Sequence, residues 1–319
     1  MSYEVIQIQN SGFLKNGKLS IAVSNVHVQE QNIYHSATGT PNASDERHSR
    51  LVKLLNRSLE EQPGVDLIIL PEVSVPHSHL YLMQRFSRIH EIGIICGLEH
   101  RLVEHERPEP TNIGTGYNHV VTILPYRRFG VYRTCQTHTR LKRHYAPGEK
   151  QELLNRRVAL PTTPKQPYPL FHWRGAYFTV FNCYELANVE DRALFRSKID
   201  FMVTVEWNPD TNYFSNLAES TSRDLHCFFI QVNTSQYGDS RIVSPATTQQ
   251  MDILRTKGGK NETLLIQDIN IGALRAFQTL APSGQRTDRS FKPIPPDFSH
   301  EEVAIRQTGQ KPRDFDSEE

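Results

Sequence analysis

Apolar residues recur along this chain in short runs separated by polar stretches. Residues 65–70, 177–181 and 201–205 are almost wholly apolar and end at proline or polar side chains. Runs of this length and kind predict strands that are covered on both faces. Further strands are predicted at residues 18–28, 93–98, 117–124, 131–134, 228–234 and 264–271, with 117–124 and 131–134 joined as a hairpin by the turn at 125–130.

A helical period appears between several of these strands. Residues 42–60, which Asn42 can cap, and residues 77–90 each place leucines or other large apolar side chains on one face. A helix is also predicted at residues 213–226, and a short one is expected after Asn188, with Glu190 and Asp191 in its first turn. Residues 29–40 are mostly polar and predict a loop.

The order of these elements predicts one α/β domain with its helices on the outside, spanning residues 1–280. From Ala281 onward proline and charge dominate, and the chain closes on an acidic stretch at 314–319. This composition predicts that residues 281–319 form an arm or tail outside the core.

Composition excludes several classes of protein. The 319 residues carry a net charge of +1, which does not indicate a nucleic-acid or anionic-membrane partner. The four cysteines are widely spaced and form no CxxC pair, so neither a metal knuckle nor a disulfide framework is expected. The first residues lack a signal peptide and no apolar run approaches membrane-spanning length, so we expect a cytoplasmic protein.

Two reactive side chains directly follow predicted strands. Glu72 comes after residues 65–70, at the sheet edge where open α/β sheets place their ligands. Cys183 follows residues 177–181 and faces the start of helical backbone, where unpaired N–H groups are expected to lower a thiol's pKa. The ordinary alternatives are a solvated loop acid or helix cap and a buried structural thiol.

A third candidate is Lys142, within the basic stretch RLKRHYAPGEK at residues 140–150. Such stretches are most often solvated surface loops. Combined with Glu72 and Cys183, however, the lysine completes a set suited to acyl transfer. The carboxylate takes the thiol's proton, the thiolate attacks a carbonyl or nitrile carbon, and the ammonium stabilises the oxyanion.

These segments resemble the signatures of the carbon–nitrogen hydrolase (nitrilase/amidase) superfamily. Residues 70–72 (LPE) match its glutamate motif, residues 142–149 (KRHYAPGE) resemble its lysine motif, and residues 182–185 (NCYE) resemble its cysteine motif. Residues 117–118 (YN) resemble the strand between the first two motifs. The order of the three and the intervals between them also agree with that family.

The resemblance implies a four-layer α-β-β-α sandwich that pairs with a second copy, as a homodimer or a larger homo-oligomer. It implies Glu72 as general base, Cys183 as nucleophile, and Lys142 with the Tyr184 backbone N–H as the oxyanion site. Glu149 matches a second glutamate that orients the lysine or assists proton transfer. The substrate would be a small-molecule amide or nitrile, hydrolysed without a metal or organic cofactor.

Charged and polar side chains near later strand ends are the candidates for substrate selection. The stretches EWNPD at 206–210 and QVNTSQYGDSR at 231–241 are more polar than we expect of that family. Alternatively, the charged groups pair as scaffold, with Arg223 and Asp224 contributing. The same stretches resemble the nitrilase-type domain fused to, or encoded beside, bacterial reverse transcriptases in phage-defence loci, which would imply a protein partner. The substrate-pocket candidates are Glu185, Glu206, Trp207, Asn208, Asp239 and Arg241.

Two other functional classes remain open. The same residues can pass the acyl group to an amine rather than to water, and the sequence does not separate these reactions. A binding or assembly module that has lost turnover is also possible, but it would need none of Glu72, Lys142, Glu149 and Cys183. A papain-like protease is disfavoured because no histidine falls in a matching motif.

Overall fold

The computed structural model describes residues 2–60, 64–109, 112–162 and 165–311; the acidic stretch at 314–319 lies outside these ranges. In chain order the strands are β1 (Tyr3–Gln7), β2 (Lys18–Asn25), β3 (Leu67–Ile69), β4 (Gly93–Gly97), β5 (Arg101–Glu109), β6 (Asn112–Tyr117), β7 (His119–Arg128), β8 (Tyr132–Leu141), β9 (Val158–Ala159), β10 (Tyr168–Trp173), β11 (Ala176–Asn182), β12 (Phe201–Glu206), β13 (Phe228–Asn233), β14 (Ser240–Val243), β15 (Asp252–Thr256) and β16 (Thr263–Asn270). The helices are α1 (Glu30–Ala37), α2 (Asp45–Glu60), α3 (Leu80–His90), α4 (Pro147–Asn155), α5 (Val189–Ala193), α6 (Thr211–Leu225), α7 (Ile271–Gln278), α8 (Pro282–Thr287) and α9 (His300–Thr308), with short 3₁₀ turns at His77–His79 and Cys183–Ala187.

Within these ranges the strands form two large sheets and a small one. One large sheet has the order β1-β10-β11-β12-β13-β14-β15, the other has β16-β2-β3-β4-β7-β8, and β5-β6-β9 form the third. The apolar side chains of β2, β3 and β4 pack directly against those of β11, β12 and β13 in one buried cluster. The two large sheets therefore face each other as a sandwich.

Helices cover the outer face of each large sheet. Leucines of α2 pack with Met83 and Phe86 of α3 on the outside of β3 and β4. On the other side, Phe214, Ala218 and Leu225 of α6 pack over β11, β12 and β13. The result is the predicted α-β-β-α sandwich. None of the helices in the described part of the chain has the length and apolarity needed to cross a membrane.

Strand direction brings the candidate site residues to one edge of the sandwich. Strands β2, β3 and β4 are parallel, and β8 runs in the same direction because two antiparallel pairings, β4 with β7 and β7 with β8, reverse the chain twice. Strands β11, β12 and β13 are also mutually parallel. Each predicted strand is present, although the hairpin strands β7 and β8 are longer than expected.

The prediction of a loop at residues 29–40 is wrong, because α1 occupies most of that stretch. Its buried face combines Ile33 and Ala37 with the polar side chains of Asn32 and Ser36. Buried polar residues hide the apolar period on which a helix prediction depends.

The C-terminal segment packs on the domain instead of extending from it. In α9, Val303 and Arg306 are fully buried, and Arg306 and Arg275 both form ion pairs with the buried carboxylate of Asp200, at 2.5 Å each. Burial raises the pKa of Asp200, but the two guanidinium groups lower it more, and the net pKa lies below its ordinary value. The expectation that this segment lies outside the core is therefore corrected as far as Lys311, while a boundary at residue 280 stays a prediction.

Arg306→Ala tests whether α9 is part of the folded unit. The substitution breaks a buried ion pair and leaves a cavity, so we expect the free energy of unfolding to fall by about 3–5 kcal/mol in urea denaturation. The exposed Arg286 in α8 supplies the control, since Arg286→Ala should change the value by less than about 0.5 kcal/mol. Equal, small effects of both substitutions would mean that α9 does not stabilise the domain.

Candidate active site

Cys183 lies on a constrained turn at the end of β11. Every residue of that strand is buried, and the chain then enters the 3₁₀ turn Cys183–Ala187. Cys183 itself has a φ of 49°, in the left-handed region that side-chain-bearing residues rarely adopt. The carboxylate of Glu185 accepts a hydrogen bond from the Asn182 backbone N–H at 2.7 Å, which fixes the turn.

Glu185 also ties this turn to the lysine segment. Arg140, which is fully buried at the end of β8, donates to both oxygens of Glu185, at 2.7 and 2.6 Å. The backbone N–H of Arg143 donates to the same carboxylate at 2.6 Å. Lys142 lies between Arg140 and Arg143 in the sequence, so residues on both sides of it are bound to Glu185. Glu185 is thus enclosed by protein groups, and the prediction that it lines the substrate pocket is wrong.

Glu72 is held by a close approach of two backbones. It follows β3 by way of Pro71, and the Gly97 N–H at the end of β4 donates to the Pro71 carbonyl at 3.1 Å. A β-carbon at Gly97 would lie 2.4 Å from the Cα of Glu72, so only glycine fits there. No sequence pattern predicted this constraint on Gly97.

The ammonium of Lys142 joins the two glutamates. Its Nζ lies 2.7 Å from Glu72 Oε1 and 2.5 Å from Glu149 Oε2. Glu149 comes from the first turn of α4, which begins at Pro147. Lys142 and Glu72 are each only 3 % exposed, so the expectation of a solvated basic loop does not hold at this position.

Asn118, His100 and a backbone N–H complete the hydrogen bonds of the two carboxylates. The backbone N–H is that of Trp207, which donates to Glu72 Oε2 at 3.2 Å. Asn118 Nδ2 lies 2.9 Å from Glu72 Oε1 and 2.9 Å from Glu149 Oε1, while its Oδ1 accepts from Asn182 Nδ2 at 3.1 Å. His100 Nε2 lies 3.3 Å from Glu149 Oε1. Asn118 was noted in the sequence without a role, and no sequence signal singled out His100.

Charge and burial determine how these groups ionise. Burial raises the pKa of Glu149, but Lys142 and His100 lower it more, to about 2. Burial lowers the pKa of Lys142, but Glu149 and Glu72 raise it more, and the net pKa is well above the usual value. Both groups are therefore charged across the physiological range.

The Cys183 thiol behaves differently from the expectation. Burial is the largest cause that raises its pKa well above the ordinary value; Glu72 raises it further, and Lys142 only partly opposes them. The prediction of a lowered thiol pKa at the start of helical backbone is thus wrong, because the turn is buried and faces carboxylates. The resting side chain is a neutral thiol that needs a neighbouring base to become a nucleophile.

A cleft of about 420 Å³ opens onto these residues. Glu72, Lys142, Glu149 and Cys183 lie at one part of it, and the predicted pocket residues Trp207 and Asn208 belong to its wall. Most of the remaining wall is apolar. It is formed by Ile33, Tyr34, Ala37, Val73, Leu153, Pro209 and Phe214.

The other predicted pocket residues do not line this cleft. Arg241 is fully buried and donates to Asp252 and Glu219, and Asp239 accepts from Arg255 at 2.6 Å. Asp239 and Arg241 thus pair with other charged side chains as scaffold, but their partners are not Arg223 and Asp224. The prediction that Asp239, Arg241 and Glu206 line the pocket is corrected: the first two form ion pairs, and Glu206 is fully buried and does not line the cleft.

No group of three or more histidine, cysteine, aspartate or glutamate side chains within the described ranges is arranged to hold a metal ion.

Comparison with known proteins gives a family and a set of similar folds. Residues 31–279 match the family model described as carbon-nitrogen hydrolase. Comparison with curated protein sequences finds no match. A CN-hydrolase superfamily protein from Xanthomonas campestris, with an arsenic adduct in its active site, is 13% identical with a TM-score of 0.55, covering 85% of this chain and 97% of its own.

Amidases from Nesterenkonia are similar in fold as well. A mutant of the nitrilase-superfamily amidase is 14% identical with a TM-score of 0.52, covering 86% of this chain and 98% of its own. Another mutant, at 16% identity and the same TM-score, covers 86% of this chain and 99% of its own, and carries the acetamide moiety of fluoroacetamide at its active site cysteine. At these identities the likeness establishes the fold. The association with phage-defence loci stays a prediction.

Gly97→Ala tests the close approach that positions Glu72. The new methyl group would collide with backbone atoms that cannot move independently, so we expect a loss of about 1–3 kcal/mol in unfolding free energy. Gly148→Ala is the matched control, because its β-carbon would meet no atom within 4 Å and should stabilise α4 by about 0.4–1 kcal/mol. If Gly97→Ala left the unfolding free energy unchanged, the contact would not constrain Glu72.

Proposed function

The chain belongs to the carbon–nitrogen hydrolase family, and on that premise we propose that it hydrolyses the C–N bond of small amides through a thioester on Cys183. The observation that carries the proposal is the position of Lys142, bound between Glu72 and Glu149 in the wall of the same cleft as Cys183. A structural role alone would not require a buried ammonium between two carboxylates beside a thiol.

In the first step Glu72 acts as general base. The thiol proton passes from Sγ to a carboxylate oxygen of Glu72 as Sγ attacks the amide carbon, because the raised pKa of Cys183 leaves no preformed thiolate. The carbonyl oxygen becomes an oxyanion, stabilised by the Lys142 ammonium and the Tyr184 backbone N–H. Glu149 holds the lysine in place from its other side.

Collapse of this intermediate breaks the C–N bond. The leaving nitrogen takes the proton from Glu72 and departs as ammonia or an amine, and the acyl group remains on Sγ as a thioester. Water then gives a proton to Glu72 and attacks the thioester carbon. The second collapse expels the Cys183 thiolate, which recovers the proton from Glu72 as the carboxylic acid leaves.

The walls of the cleft favour a small amide with an uncharged, apolar acyl group. Trp207, Phe214 and Leu153 offer apolar surface. Apart from the proposed catalytic groups and His100, the charged residues of the wall are Glu152 and Arg156, which form an ion pair with each other at 2.7 Å. Away from the proposed catalytic groups, the cleft wall therefore offers no uncompensated charge to select a charged amide.

Ammonia release from linear amides tests the reaction. We expect hydrolysis by the native chain and a thioester adduct in intact-mass spectra after rapid acid quenching. Cys183→Ala should lower kcat/KM by at least about 10³-fold and abolish the adduct. Acyl transfer would give a new amide when an amine is added. A native chain that neither turns over amides nor forms an adduct would support an assembly or binding module instead.

Phe214→Ala tests the apolar wall. Removing the ring takes contacts from longer acyl chains, so kcat/KM for hexanamide relative to acetamide should fall by about 10-fold or more. Tyr213→Ala, at the more exposed neighbouring position of α6, is the control and should leave that ratio unchanged. Preference of the native chain for a charged amide such as succinamate over hexanamide would contradict the proposed selectivity.

A further inference from the structure

Glu206 is a buried carboxyl group beside the proposed nucleophile that the mechanism above does not use. Strands β11 and β12 are parallel with Asn182 opposite Val205, so Cys183, which follows β11, and Glu206, the last residue of β12, lie at the same end of the two strands. On its other flank Glu206 lies opposite Asn233 of β13. Glu206 therefore lies at the carboxyl end of β12, at the same edge of the sheet as the candidate active site.

The surroundings of Glu206 contain little to stabilise a negative charge. The side chain is fully buried, and its Oε2 accepts one hydrogen bond, from Gln231 Nε2 at 2.8 Å. Its Oε1 has no hydrogen-bond partner within the described residues, and no ion pair to Glu206 is found among them. A buried carboxylate without a cation is unfavourable, so the group is expected to hold a proton.

The charged groups on neighbouring elements reinforce this expectation. Glu72 after β3 and Asp239 before β14 both disfavour a charge on Glu206. Cations nearby are already bound: Lys142 to Glu72 and Glu149, and Arg241, which lies opposite Gln231, to Asp252 and to Glu219 of α6. Burial is the largest influence on the pKa of Glu206 and raises it. The side chains of Gln231 and Thr204 lower it, while Glu72 and Asp239 raise it, and the net pKa is about 8.

This proton matters for the nucleophile. With Glu206 neutral, Glu72, Glu149, Lys142 and the Cys183 thiol together carry a net charge of −1, and moving the Cys183 proton to Glu72 leaves that total unchanged. A second negative charge, on Glu206, would raise the pKa of Cys183 further and oppose the transfer of its proton.

We propose that Glu206 is a positioning residue that acts through Cys183: it keeps its proton through the reaction cycle, and loss of that proton at alkaline pH prevents the nucleophile from forming. The proposal rests on the function proposed above. It replaces a role for Glu206 in contacting substrate with control of the charge beside the thiol.

The pH profile of Glu206→Gln tests the proposal. Glutamine preserves the shape but cannot ionise. For the native chain, kcat/KM should be about tenfold lower at pH 9 than at pH 7, as a pKa of about 8 requires. For Glu206→Gln the ratio should stay within about twofold. Glu219→Gln removes a carboxylate bound to Arg241 and should keep the native profile. An active Glu206→Gln variant with an unchanged alkaline limb would overturn the proposal.

A second variant covers the case in which Glu206→Gln does not fold. Gln231→Met removes the hydrogen bond that favours the charged form of Glu206 and nearly conserves volume. The alkaline limb should then move to higher pH. A limb that stays in place or moves to lower pH in Gln231→Met would also overturn the proposal.

Unfolding measurements separate this proposal from the proposed function. The raised pKa means that the folded chain holds a proton that the unfolded chain releases, so Glu206 reduces stability as pH rises from about 5 to 8. Relative to the native chain, the Tm of Glu206→Gln should therefore rise across that interval. This rise is expected even if the chain hydrolyses no amide. A Tm difference that stays constant across the interval would overturn the proposal for Glu206 and would leave the proposed function untouched.

Discussion

The site depends on one buried ammonium held between two carboxylates. Removing Lys142, Glu72 and Glu149 from water is costly, and the cost is offset only when their geometry is good and their remaining hydrogen bonds are made. Asn118, His100 and the backbone N–H of Trp207 supply those bonds. The rest of the local structure keeps these groups in register: Gly97 lets β4 approach Glu72, and Glu185 joins the lysine segment to the cysteine turn.

The same arrangement sets the chemistry. Because burial, reinforced by Glu72, raises the pKa of the Cys183 thiol, this side chain is neutral at rest, and in the proposed reaction a base takes its proton as the bond to substrate forms. The site is thus organised around where protons reside rather than around a permanent thiolate. Glu206 extends this principle to a carboxyl group outside the cleft wall, whose charge state affects the nucleophile without contact with substrate.

Much of this arrangement could be predicted from the sequence, because strand ends are visible as the ends of apolar runs. The runs before Glu72 and Cys183 fixed their positions at one edge of the sheets, and the order of the three motifs indicated the sandwich. Asn188 capped its short helix as the capping pattern requires, accepting from the backbone N–H groups of Glu190 and Asp191.

What the sequence could not show depends on contacts between distant segments. The approach of Gly97 to Glu72, the pairing of Arg140 with Glu185, and the burial that raises the thiol pKa all arise from packing of elements far apart in the chain. Helix α1 was missed because it buries Asn32 and Ser36. Arg241 and Asp239 resembled pocket residues because their ion-pair partners lie on strands and helices that no local pattern links to them.

The most direct test of the coupled site is selective alkylation. The native chain and Glu72→Gln would be exposed briefly to substoichiometric iodoacetamide, and the modified cysteine identified by peptide mass spectrometry. We expect labelling at Cys183 in preference to Cys96, Cys135 and Cys227, and we expect the rate at Cys183 to fall at least about tenfold in Glu72→Gln because the base is lost. Labelling spread over all four cysteines, or a Cys183 rate indifferent to Glu72, would contradict it.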